Sequence, residues 1–325
     1  MHNPITRRGL MAVAALPMLG APALAQQGFP NRPVRIVIGF PPGGGIDILA
    51  RLMAPHMAAR LGQPVVIENR PGANGMVAKQ SVLGAEADGH TLFFGTTGNL
   101  AVNAALYPNA GFDLLRDFAP VSLVASLAFV MVVNPQVPAQ TVAEFVALAK
   151  ARPGQLNYAS SGNGGLPHLS GELLNAAAGI NTVHVPYRGS APAFTDVIAG
   201  QCQFMFDALA IAQPHIAGGR VRALAVTGPR AMASLPGVPP MNVAVPGYEV
   251  MNWYGMTVRA GTAPASIARI QAEIAAALAV PDVAARAAGL GLDLVGSTSE
   301  EFATFQRAEV AKWGDVVRRG NIKPD

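Results

Sequence analysis

The chain is poor in cysteine and in charge, and it lacks every common catalytic signature. Cys202 is the only cysteine in 325 residues. A single thiol closes no internal disulfide and builds no thiolate metal site, so stability must come from a packed core. His56, His90, His168, His184 and His215 form neither a His-Glu-x-x-His motif nor an i, i+4 pair, and no calcium-loop pattern is present. No serine has glycine two residues before and after it, which removes the nucleophile elbow. Charged residues are 13% of the chain and the formal net charge is +4. That balance offers no clustered basic face for nucleic acid. The longest N-terminal apolar run, Leu10 to Leu24, is about 15 residues and contains Pro17, Gly20 and Pro22, against the roughly 20 needed to span a bilayer. These absences leave no expected catalytic residue, metal or cofactor.

What is present begins with an export pattern. Thr6-Arg7-Arg8-Gly9-Leu10-Met11 places a twin arginine before the apolar run, and Ala23-Leu24-Ala25 supplies a small-x-small cleavage pattern. Residues 1–25 are therefore predicted to be a twin-arginine-type signal peptide, and the mature protein to be a soluble periplasmic one. Removing them takes away two of the 23 basic residues and none of the 19 acidic ones. No cysteine near the cleavage pattern could carry a lipid. The remainder, with half of the chain apolar, can bury a large core and divide into two domains.

Strand and helix patterns alternate along it. Strands are predicted at Val34–Gly39, Gln63–Glu68, Thr91–Gly95, within Val121–Val133, and at Leu156–Ala159, Thr182–Val185, Cys202–Phe206, Val221–Val226 and Asn252–Val258. Helices are expected at Ile46–Leu61, Met76–Ala85, Val142–Lys150, from Leu166, from Ala191, at Ala208–Ala217, Pro264–Ala279, Pro281–Leu290 and Ser299–Gly320. Thr141 and Glu144 have capping-box spacing. The Pro-rich stretch Gly228–Gly247 lacks periodicity and reads as a surface run. This alternation predicts doubly wound α/β sheets, whose ligands bind beyond the carboxyl ends of the strands.

Two strand–loop–helix devices stand out at those ends. One loop is Phe40-Pro41-Pro42-Gly43-Gly44-Gly45; the other is Ser160-Ser161-Gly162-Asn163-Gly164-Gly165. Glycine allows positive φ and close ligand approach, and the helix behind it presents unpaired amides to an anion. The first loop lacks the Gly-Lys-Ser/Thr of a P-loop and the third glycine of a dinucleotide fingerprint. Asp47 fits an internal role, holding loop or first-turn amides in place. Ser160 and Ser161 read as hydrogen-bond donors, while His168 suits either a buried carbonyl or a ligand. In a third crossing, His184 to Pro192, Pro192 needs no N–H at a helix start, and Gly189, Ser190 and Ala191 are expected to offer free amides. Arg188 can pair with a carboxylate or simply be solvated. Asp207 can accept from a ligand or cap a helix, and Phe40 and Phe206 can flank a ligand or fill the core.

The ordered set of motifs resembles the tripartite tricarboxylate transporter, or Bug, family of bacterial extracytoplasmic solute-binding proteins. The resemblance runs through Phe40–Asp47, Glu68–Gly75, Asp88–Leu92, Tyr158–Gly162 with His168-Leu169, His184–Ala193, Phe206-Asp207, Pro214–Ile216, Arg222–Thr227 and Lys312-Trp313. Asn242-Val243 departs from the acidic residue and alanine usual there. The resemblance implies a type II-like, two-lobed periplasmic-binding-protein fold, each lobe a doubly wound sheet flanked by helices, with the ligand cleft between lobes. Residues 26–127 with 252–325 would form lobe one, and 128–251 lobe two. It further implies a small carboxylate ligand, organic acid or amino acid, held by Gly43, Gly44 and Asp47 in one lobe. Ser160, Ser161, Gly162, His168, Gly189, Ala191 and Asp207 would hold it from the other. The expected partners are subunits of a tripartite tricarboxylate-type membrane transporter, with the protein acting as a monomer. Two other uses compete: a carboxylate sensor docking on a membrane receptor kinase, and an exported hydrolase.

Overall fold

The computed structural model describes residues 28–323, so the predicted leader lies outside the described residues. In chain order the elements of the first part are β1 (Val34–Ile38), α1 (Gly45–Leu61), β2 (Val65–Asn69), α2 (Met76–Leu83), β3 (Thr91–Thr96), α3 (Asn103–Leu106), α4 (Leu114–Asp117) and β4 (Phe118–Val133). Next come α5 (Val142–Ala151), β5 (Asn157–Ser160), α6 (Leu166–Ala178), β6 (Val183–Pro186), α7 (Ser190–Ile198), β7 (Phe204–Ala208), α8 (Leu209–Ala217) and β8 (Arg222–Val226). The chain ends with β9 (Met251–Arg259), α9 (Pro264–Leu278), α10 (Pro281–Gly289), β10 (Asp293–Leu294) and α11 (Ser299–Arg319).

The α/β architecture matches the sequence reading. Strands run in the order β2-β1-β3-β9-β4-β7-β5-β6, and β8 and β10 also pair with β4. β1 pairs in parallel with β2 and β3, and β5 in parallel with β6 and β7. Val34, Ile36, Val37 and Ile38 are fully buried, as a strand with neighbours on both edges and helices on its faces requires. The long β4 changes partner along its length. Phe118 to Ala128 pairs antiparallel with β9, and Phe129 to Val133 pairs with β7 and β8.

Thr227 joins the chain segments where that change occurs. Its hydroxyl donates to the Val250 carbonyl at 2.7 Å and accepts the Phe129 amide at 2.7 Å, while its own amide donates to the Phe129 carbonyl. Deeper in the core, the indole nitrogens of Trp253 and Trp313, both fully buried, donate to one Glu309 oxygen at 2.9 and 2.8 Å.

Three expectations need correction. The Pro-rich stretch is irregular and mostly exposed, but it is not wholly superficial, because Leu235, Met241 and Val245 are buried without any period. Thr141 accepts the Glu144 amide, yet Glu144 turns back to the Gln140 amide at 2.6 Å, so the reciprocal box is incomplete. The complete capping box is at Thr298 and Glu301, opening α11. Finally, the strand expected at Cys202–Phe206 starts at Phe204, which places Asp207 within β7.

Gly171 lies inside α6 against the Tyr158 ring, and a Cβ there would stand 2.3 Å from a ring carbon. Gly→Ala inside a helix ordinarily stabilises by roughly 1 kcal/mol. Here overpacking decides the sign: Gly171→Ala is expected to lose about 1–3 kcal/mol in urea unfolding. A variant as stable as the wild type would show that the contact relaxes freely.

Candidate functional site

The loop after β1 is shaped from below by one carboxylate. Asp47, 2% exposed, accepts the Gly43 amide at 2.9 Å and Arg51 Nε at 3.0 Å on one oxygen, and Asn69 Nδ2 at 3.0 Å on the other. Asn69 Nδ2 also reaches the Phe40 carbonyl, and Arg51 Nη2 donates to Asn69 Oδ1. Burial alone would raise the Asp47 pKa; Arg51, the Gly43 amide and Asn69 together hold it below the usual carboxylate value. Arg51 and Asn69 were missed in the sequence, although Arg51 stands at i+4 from Asp47, a spacing that pairs charges on a helix.

Above that support the backbone is bare. Gly44 is the N-cap of α1 and brings no capping side chain. The first intrahelical bond here runs from the Ile48 amide to the Gly44 carbonyl. The amides of Gly45, Ile46 and Asp47 precede that bond and point out of the helix start. A Cβ at Gly43 or Gly44 would meet no atom within 4 Å, so a ligand has room to approach.

The loops after β2 and β3 pack beside this one. Gly39 and Gly75 touch backbone to backbone, since a Cβ on Gly39 would lie 2.6 Å from Gly75 Cα. Asn74, with φ 49°, exchanges hydrogen bonds with Asn103. Lys79, buried and pushed down to about 7 by desolvation, donates to the Asn99 carbonyl at 2.9 Å.

The second sheet portion also turns its side chains inward. Ser160, fully buried, donates to the Gly162 carbonyl at 2.9 Å and bonds His184 Nε2 at 2.7 Å. His168 stacks on His184 at 3.6 Å, and its Nδ1 accepts the Gly164 amide at 3.0 Å. Burial, then His184, pushes His168 down to about 3, so it is a neutral acceptor. The Ser160–His184 distance is that of a nucleophile and its base, but the hydroxyl is sealed under its own loop and turned to a carbonyl. Ser160 and His168 thus shape the loop, while Ser161 and Gly162 lie along its rim.

One expectation about amides is corrected. The Gly189 amide donates to the Ser161 carbonyl at 3.1 Å and the Tyr187 amide to the Ser160 carbonyl at 3.0 Å, which stitches the two loops together. Gly189, with φ 105°, is the N-cap of α7, so the first-turn amides there are those of Ser190 and Ala191. Asp207 is 4% exposed; Oδ1 accepts the Ala208 amide at 2.7 Å and Oδ2 has no hydrogen-bond partner. Burial pushes its carboxyl up, opposed by the Ser190 hydroxyl and the Ala208 amide. Phe206 is fully buried in the core and Phe40 packs against it.

The second-sheet loop leans on the first part of the molecule. Asn163 Nδ2 donates to the Lys323 carbonyl at 3.0 Å, and Gly164 faces Leu106 so closely that a Cβ would lie 2.8 Å away. Two hollows of about 720 and 640 Å³ lie elsewhere, one between the Gly228–Ser234 stretch and α11, the other beside α2 and α3. Neither is lined by the predicted binding residues.

The chain as a whole has counterparts among known proteins. The family described as the tripartite tricarboxylate transporter family receptor matches residues 49–322. The chain belongs to that family. Its receptors bind solutes and do not transform them. The chain is 38% identical over 317 residues to the UPF0065 protein in the tcbD-tcbE intergenic region of Pseudomonas sp. (strain P51), covering 96% of this chain and 94% of that one. Protein BugT of Bordetella pertussis is 32% identical, covering 94% of each chain. Among solved structures, R. palustris Rpa4515 with adipate is similar with a TM-score of 0.77 and 33% identity, covering 91% of this chain and 100% of that one. MatC from Rhodopseudomonas palustris with bound malate has a TM-score of 0.73 and 32% identity, covering 89% and 100%. Among the described residues no helix is long and apolar enough to cross a membrane, and no group of His, Cys, Asp and Glu could hold a metal ion.

Asp47 supplies a pH test of the loop. Its lowered folded pKa means that its stabilisation is present above the unfolded value near 3.8 and fades as pH falls through the folded value. Asp47→Ala should lose about 2 kcal/mol in urea unfolding at neutral pH, and the gap to wild type should narrow in acid below 3.8. A gap independent of pH would assign the loss to packing instead.

Proposed function

We propose that this receptor captures a small carboxylate, organic acid or amino acid, in a cleft between two lobes and delivers it to a tripartite tricarboxylate-type membrane transporter. The observation that carries the reading is the unoccupied run of amides at Gly45–Asp47 beneath open Gly43 and Gly44, in a loop whose own carboxylate is fully engaged. Such a surface favours an anion. The α7 start at Ser190 and Ala191 and the rim at Ser161 supply the opposing donors, while Gly162, whose amide is turned to Ser160 Oγ at 3.3 Å, lines the rim. Asp207 Oδ2 is available to a ligand hydroxyl or ammonium. That adipate and malate occupy two relatives supports a carboxylate here.

The lobes in this reading are residues 26–127 with 252–325, and residues 128–251. The change of partner along β4 near Ala128 and the start of β9 at Met251 support that division. Closure would bring the two sets of donors onto one ligand and shift an open–closed equilibrium. Residues 1–25 would direct export, and the mature protein would act as a periplasmic monomer.

Solution scattering tests closure. Saturating adipate or malate, whichever binds, should shrink the radius of gyration; superimposable curves would refute it. Gly44→Val tests the loop itself, because φ −76° accepts any side chain whereas Gly189 at φ 105° does not. Calorimetry should find affinity reduced about tenfold or more with an unchanged melt, from loss of charged hydrogen bonds. Undiminished affinity would remove the loop from the site.

A further inference from the structure

Beside the start of α1 a largely buried side chain presents a hydroxyl that no described protein group bonds. Tyr254 lies on β9, opposite Thr96 of β3 and Ala125 of β4. Its ring packs edge-on against Phe94 with centroids 6.1 Å apart, and the residue is only 7% exposed. Its hydroxyl makes no hydrogen bond with any described residue. The ring is buried, but the oxygen is not among the sealed unpaired polar atoms of the described residues, so it keeps a path to solvent and hence to a ligand.

The oxygen stands 3.0 Å from the point a Cβ on Gly45 would occupy, at the first residue of α1. Gly45 is helical and its φ requires no glycine, so the missing side chain is explained by room for this hydroxyl. The neighbouring first-turn amides of α1 can only donate, and the phenol can donate alongside them. Asp47, the nearby acceptor, already has both oxygens engaged. Donors gathered at a helix start favour an anion. Burial pushes the phenol up to about 12, so it keeps its proton at physiological pH.

We propose that Tyr254 is a specificity-determining residue of the binding site, its hydroxyl donating to the same ligand carboxylate that the first-turn amides of α1 hold. The inference rests on the carboxylate-binding reading above and assigns it a side-chain donor from β9. Unlike the backbone amides, this donor can be removed by one atom. A carboxylate accepts it fully, whereas a ligand presenting an amide NH₂ at that place leaves the hydroxyl unsatisfied.

Titration calorimetry of the wild type, Tyr254→Phe and Gly45→Ala against straight-chain mono- and dicarboxylates, adipate and malate included, tests this. Tyr254→Phe keeps the ring and should weaken the bound acid by about 10- to 100-fold, the size of a hydrogen bond to a charged group. Its ligand-free melt should stay the same, because the hydroxyl makes no hydrogen bond within the described protein. Gly45→Ala, which presses on the hydroxyl, should also weaken binding. The Cζ carbon resonance of Tyr254, assigned by its absence from Tyr254→Phe, should move when the acid saturates the wild type. If the wild type binds an acid and Tyr254→Phe binds it equally well, or the resonance stays still, the role of Tyr254 is refuted while the carboxylate reading stands. If the wild type binds none of the acids, both fall together.

Discussion

Both oxygens of Asp47 are turned inward, and that single fact leaves donors rather than acceptors at the start of α1. Were that carboxylate free in the loop, it would repel the anion the helix start attracts. Held by Gly43, Arg51 and Asn69, it sets the loop's curvature instead and leaves the amides of the first turn exposed. The second sheet portion follows the same rule. Ser160, His184 and His168 form a compact stack under their loop, and the Ser161 carbonyl is covered by the Gly189 amide. Asp207 Oδ2 is the exception, an acceptor with no hydrogen-bond partner among the described residues.

This arrangement needs a scaffold that places two separate loop clusters with respect to each other. β4 performs that task by running through both sheet portions and changing partners at Phe129. Thr227 secures the same point, bonding Phe129 on one side and Val250 on the other. The join between the portions is therefore hydrogen-bonded, and one apolar cluster runs across it, holding Val34 and Trp253 together with Tyr158 and Phe206. The pair of indoles on Glu309 anchors α11 to β9 just below it.

Much of this was legible in the chain. Apolar strands such as Val34–Ile38 announce themselves because parallel strands buried on both faces carry continuous β-branched runs. The glycine loops after β1 and β5 stand out because only glycine serves where φ is positive or where space must stay open. Less legible were features that depend on partners far along the chain. Gly189 looked like a free donor until the loop after β5 proved to lie within reach of it. Gly228–Gly247 looked superficial because its buried residues follow no period. Glu144 had the right spacing for a capping box, yet its side chain found a different amide.

The sequence by itself determined the α/β class, the order of its elements, the positions of the glycine turns and the shortage of catalytic groups. Each of these follows from local backbone preference or from the residue types present. Tertiary structure alone decided which donors remain unpaired: that Asp47 is saturated, that Gly189 is engaged, and that the Tyr254 hydroxyl stands alone over Gly45. Hydrogen-bond satisfaction is a property of neighbours in space, and those neighbours come from strands and loops separated by as many as two hundred residues of chain.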